Sequence, residues 1–197
     1  MRGGRACALV GLLVAGLAVA AEPLGPLART RQVLERSHDI VVGPGSHAEK
    51  VAALNQLLGG FLDTDAMGRQ AMGKHLEGRS PAAIRAFLDI FRGLFVRTYV
   101  QRLLLFEVPE FGYRGETITG NEAVVRTEII TPKDRFAVDY RLRRGPDGWR
   151  ATDILVEDAS LGDNFRAQFD AALAKESFDA LMERLRKKLA GPAESAL

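Results

Sequence analysis

Between Phe136 and Arg143, apolar and polar positions alternate. Phe136, Val138, Tyr140 and Leu142 interleave with Ala137, Asp139, Arg141 and Arg143. A period of two over this length predicts a strand buried on one face. Ala123, Val125, Thr127 and Ile129 form one face of the segment before it. Turn-forming clusters fall at hairpin spacing: Gly120-Asn121, Pro132-Lys133-Asp134 and Gly145-Pro146-Asp147-Gly148. Together they predict four strands in a meander, near residues 111–119, 122–131, 134–143 and 148–158.

On either side the period lengthens to that of a helix. Leu24 to Val42 predicts a helix ended by Gly43-Pro44-Gly45. Ser46 caps a second, with Val51, Leu54, Leu57 and Leu58 on one side and Gly59-Gly60 closing it. A short third helix runs from about Thr64 to near Gly73. Ser80-Pro81 opens the longest one, serine as cap and proline in the first turn. Ile84, Phe87, Leu88, Phe91, Leu94, Phe95, Thr98 and Tyr99 make its stripe, which continues through Leu103 to Phe106 until Pro109. Two helices end the chain. One carries Leu161, Phe165 and Phe169, and the other Phe178, Leu181, Met182, Leu185 and Leu189.

The order of helices, strands and helices predicts an α+β fold: a twisted antiparallel four-stranded meander with a helical layer on one face. A cone-like space then lies between the long helix and the sheet. Phe87, Phe91, Phe95 and Tyr99 would face Val125, Phe136, Val138 and Tyr140 across it. Such a space fills as core or stays open as a cavity, and periodicity does not decide which.

The first residues have a different character. Arg2 and Arg5 precede an uncharged apolar run from Ala6 to Ala20, and Ala18 and Ala20 set up a small-residue cleavage pattern before Glu22. This reads as a cleavable export signal over residues 1–21, since a run of 15 residues falls short of a membrane-spanning helix. A single domain over 22–190 and a flexible tail over 191–197 would follow. The expected location is outside the cytoplasm.

Loss of the signal turns 27 basic against 25 acidic residues into 25 against 25. A neutral domain has no charge excess with which to hold a nucleic acid. The single cysteine, Cys7, lies within the signal, so no disulfide or thiolate site is expected. His38, His47 and His75 lack ligand spacing, and no metal or catalytic motif appears. One enzyme arrangement is conceivable, with Asp139 or Asp153 as proton shuttle and Tyr140 as donor in a cone-shaped domain. Asp139 and Tyr140, as strand neighbours, would point to opposite faces.

Taken in order, these residues resemble the MlaC family of phospholipid carriers. The resemblance begins with Phe61, Asp65, Met67, Ala71, Met72 and Gly73, and continues through Ser80-Pro81, Phe91, Arg92, Leu94, Thr98, Tyr99 and Leu103. Val138-Asp139-Tyr140 with Leu142, then Gly148-Trp149 with Asp153, match its sheet segments. Glu157 to Ser160, then Asn164, Arg166, Phe169, Leu181, Leu185 and Lys188, match its end. Asp158 and Ala159 depart from the family's glycine and valine, and Leu76 stands where tryptophan is frequent.

The resemblance implies a periplasmic phospholipid carrier. It would shuttle between an outer-membrane lipoprotein complex and an inner-membrane ABC transporter with a lipid-binding ring. Diacyl phospholipid would be the cargo and no cofactor would be needed. A carrier of hopanoid or other polycyclic lipid is the nearer alternative, and a cone-fold isomerase the more distant one. Such a shuttle is expected to be a monomer. Periodicity, rather than the family, nominates the lining: Phe87, Phe91, Phe95, Tyr99, Val125, Ile129, Phe136, Val138 and Tyr140, with Trp149, Leu155, Phe165 and Phe169 at the sides.

Overall fold

The computed structural model describes residues 24–105 and 110–191. The expected signal, the Phe106–Pro109 helix stop and nearly all of the expected tail lie outside the described residues. Helix α1 spans Pro26–Val42, α2 His47–Phe61, α3 Thr64–Met72 and α4 Pro81–Leu105. Strands follow at Glu110–Thr119 (β1), Glu122–Ile130 (β2), Arg135–Gly145 (β3), Gly148–Val156 (β4) and Ala159–Ser160 (β5). Helices α5, Leu161–Leu173, and α6, Phe178–Ala190, complete the order.

Local chemistry sets most helix starts. Ser46 and Glu49 form a reciprocal capping box at α2. Asp63, Ser160 and Ser177 accept hydrogen bonds from the backbone N–H of Ala66, Asp163 and Ala180 at α3, α5 and α6. Ser80 Oγ does the same for Ala83 at α4. Helix α2 is longer than its sequence predicts. It runs through Gly59-Gly60 because Leu54, Leu58 and Phe61 are all buried on one face. That burial outweighs a cost of about 1 kcal/mol per glycine.

The sheet is antiparallel, in the order β1-β2-β3-β4-β5. The fifth, two-residue strand is an addition to the expected four. It exists because Glu157 and Asp158 take φ of 48° and 64°, reversing the chain where β4 was expected to run on to residue 158. Two β-bulges interrupt the alternation. On β1 the register slips between Tyr113 and Gly115, and Gly115 takes a φ of 114° that favours glycine. On β4 it slips between Ala151 and Asp153, leaving Thr152 as the extra residue.

Helices α1, α2, α3 and α5 lie against the sheet, while α4 runs alongside α2, α3 and α6. Gly93 lets α6 close on α4, since a Cβ there would stand 2.9 Å from Leu189 Cδ1. Arg97 locks that contact by donating to the carbonyls of Lys188, Leu189 and Gly191 at 2.6–2.9 Å, at the end of α6. No helix among the described residues is long and apolar enough to cross a membrane.

Candidate functional site

The strand register sorts the helix-facing side of the sheet into rows. Phe111, Ile129 and Phe136 form the first; Tyr113, Thr127, Val138 and Val156 the second. The third joins Glu116, Val125, Tyr140 and Ile154, and the fourth Ile118, Ala123, Leu142 and Ala151. On β2, β3 and β4 burial rises along them: Phe136 in the first row is 40% exposed and Val156 in the second 37%, whereas Val125 and Ala151 are sealed off completely. On the edge strand β1 it falls, and Glu116 and Ile118 are exposed. On the three inner strands the apolar face therefore opens to water at the first row.

At the opposite end β4 is stitched to the junction of α2 and α3. Leu62 bridges to Ala151 in parallel, and the Asp63 N–H donates to the Ala151 carbonyl at 2.8 Å. Arg150 Nη2 donates to the carbonyl of Leu62 at 2.7 Å and of Gly59 at 3.2 Å. Trp149 is buried beside these contacts. Asp153 is buried too, accepting from Ile154 N–H, Gly162 N–H and Ser160 Oγ, and lying 3.3 Å from Arg141 Nη1. All its capacity serves the joint between β4 and α5. Asp139 shares the opposite sheet face with Leu155, away from Tyr140, so the carboxylate–tyrosine pair does not converge.

The aromatic stripe of α4 has a different partner from the one expected. Phe87 meets Phe169 at 5.7 Å between ring centroids, and Phe91 and Phe95 meet Phe165 at 5.5 and 5.9 Å. These rings are packed on α5, not turned onto the sheet. Tyr140 instead meets Phe61 of α2, at 5.9 Å. Tyr99 is half-buried and stacks on Phe95 at 4.5 Å. A cleft of about 360 Å³ lies between α4, α5 and α6, floored by Phe91, Phe95, Phe165 and Phe169 and rimmed by Arg184 and Lys188. That volume is within the range of small-ligand sites, roughly 300–1,000 Å³.

The thirteen nominated residues thus divide. Val125, Val138, Tyr140 and Trp149 are buried in or beside the sheet, and Ile129 and Phe136 stand at its open end. Phe87, Phe91, Phe95, Phe165 and Phe169 form the helical aromatic cluster, with Tyr99 at its edge. Leu155 is a correction: the bulge at Thr152 turns it to the outer face, opposite Asp139. Phe111, Tyr113 and Phe61 were missed as parts of the inner face. A period of two at Phe111 and Tyr113 was the available signal, cut short by the β1 bulge.

Burial governs the tyrosines. It pushes the Tyr99 hydroxyl up to about 12, with Arg102 opposing, and it also raises Tyr140. Tyr113 is raised by burial and by Glu35, against Arg31, whose guanidinium lies 4.1 Å over its ring. His75 Nε2 lies 2.6 Å from Asp170 and ties the single 3-10 turn at Gly73–Leu76 to α5. Among the described residues no three metal-ligating side chains cluster.

The family model described as MlaC protein matches residues 30–187. The chain belongs to the MlaC family. A solved structure, the phospholipid-binding protein of Ralstonia solanacearum in complex with a phospholipid, is similar with a TM-score of 0.75. It is 22% identical, and the match covers 85% of this chain and 98% of that one. At this identity the likeness is one of fold. Comparison with curated proteins gives no match. Asp158 takes a φ of 64°, in the left-handed region that glycine adopts without cost.

Proposed function

We propose that this protein carries phospholipid, with the acyl chains drawn in over the open rows of the sheet and the headgroup left near water. One observation carries the reading: a member of the MlaC family presents, on strands β2, β3 and β4, a largely apolar face whose cover gives way at Ile129, Phe136 and Val156. The phospholipid bound by the Ralstonia solanacearum relative supports it.

The energetics suit such a site. Two sixteen-carbon chains in water cost on the order of 25 kcal/mol, at about 0.8 kcal/mol per methylene. A carrier must offset nearly all of this without outbidding a bilayer. Contact of hydrocarbon with hydrocarbon meets both conditions, and clamps of charge are unnecessary. We further propose that residues 1–21 direct export to the periplasm. There the protein would pass lipid between an outer-membrane lipoprotein complex and an inner-membrane ABC transporter.

Native mass spectrometry of the protein purified from an exporting host, with lipid extraction, tests this. The expected species is a chain beginning at Glu22 or nearby, with one diacyl phospholipid bound. A full-length mass, or a stripped protein that takes up no lipid from vesicles, would overturn the respective part.

A further inference from the structure

The buried serine and threonine hydroxyls of this interior are engaged within the protein. Thr30, Ser37 and Thr98 donate to carbonyls one helical turn back, those of Pro26, Val33 and Leu94. Thr127 donates across the sheet to Val138. Among the described residues three buried side-chain atoms lack a partner: Arg97 Nε, Arg150 Nε and the Tyr113 hydroxyl. Both arginines bond through their other nitrogens. Tyr113 alone of the three has its only polar group both shut from water and unpaired. Leaving a buried group unsatisfied is costly, so its persistence calls for a partner that arrives from outside.

Its position says what kind. Tyr113 is in the second row of the inner face, beside Thr127 and one row deeper than Phe111. Rows are spaced by two residues, or about 7 Å. On the neighbouring strands β2 and β3 the first row includes Phe136, which touches water, and the third contains the sealed Val125, while on the edge strand itself Glu116 is exposed. A lipid seated with its headgroup at the open end and its chains along the deeper rows places its glycerol esters near the second row. Tyr113 also keeps its proton, because burial and Glu35 both disfavour ionisation. It can therefore donate to an acceptor that comes within reach.

Resting on the carrier reading, we propose that the Tyr113 hydroxyl donates a hydrogen bond to an acyl-ester carbonyl of the bound glycerolipid, making it a specificity residue for ester over ether linkage. Arg31, stacked on its ring, holds the side chain in place.

The test is a competition. Lipid-stripped protein is offered vesicles holding equal dipalmitoyl phosphatidylethanolamine and its dihexadecyl ether analogue, and bound species are counted by native mass spectrometry. The wild type should favour the ester about three- to tenfold, the worth of one hydrogen bond. Tyr113→Phe should take both alike, and its empty form should melt no lower than the wild type. Equal uptake by the wild type, or a retained preference in the variant, overturns the proposal. So does an equal weakening of both lipids, which would put the acceptor on the headgroup. A lower melting point of the empty variant would reveal a partner already present and overturn it as well. Uptake of neither lipid by the wild type would instead defeat the carrier reading itself.

Discussion

The two ends of one sheet are built on opposite rules. At the Trp149 end, α2 passes into α3 through a backbone bridge to Ala151, and Arg150 gathers the last carbonyls of α2. Backbone carbonyls are paired there, and Trp149, Ala151 and Leu142 are sealed. At the Phe111 end the same sheet shows water a half-buried isoleucine and a phenylalanine exposed to 40%. The residue types differ little, since both ends are apolar. What differs is the cover. Stability resides where helices are bonded to strands, and apolar surface stays open where they are not.

Phe61→Ala should break the closed end and have the largest effect. Phe61 is 1% exposed and links α2 to Tyr140. Removing its ring should cost about 3–5 kcal/mol of unfolding free energy in urea. A loss below about 1 kcal/mol would show that this end does not hold the fold.

Alkali should loosen the region between the ends, with a smaller effect. The Tyr99 hydroxyl is pushed from the usual 10 up to about 12 in the folded protein. Below pH 10 both states keep the proton and nothing changes. Between 10 and 12 the unfolded chain ionises while the folded one does not, so stability falls as pH rises. The loss should reach about 2 kcal/mol, read as a falling urea midpoint that Tyr99→Phe flattens. An unchanged slope in that variant would place the alkaline weakness elsewhere, with Tyr140 the next group to test.

How much of this was legible beforehand depended on whether the cause was local. Ser46, Ser80-Pro81 and Ser160 declare their helices through short-range chemistry, and the structure uses each accordingly. The four long strands and the α+β architecture follow from alternation and turns alone. Long-range packing overrode other local signals. Gly59-Gly60 reads as a stop, yet burial of Phe61 carries α2 through it. The Phe87–Tyr99 stripe was visible, but a period says which residues share a face, never what covers it. Here the cover is Phe165 and Phe169. Leu155 shows a third kind of miss. Alternation counted from Trp149 puts it inside, and one extra residue at Thr152 puts it outside. A bulge leaves no mark that counting detects.

Phe136→Asp should sharpen the contrast at the open end, where the smallest change in stability goes with a clear change in binding. The side chain is already 40% exposed, so the folded protein loses little. Unfolding free energy should shift by about 0.5 kcal/mol or less. Lipid uptake should nevertheless fall at least tenfold, because the carboxylate would have to be desolvated as a chain slides over it. Vesicle uptake and urea melts on the same preparation separate the two effects. If stability fell by several kcal/mol, the open end would be ordinary core. If stability and uptake were both untouched, lipid would have to enter elsewhere, and the cleft between α4, α5 and α6 is the apolar surface left to receive it. Normal folding with lost uptake is the result that would make burial along these rows a measure of function.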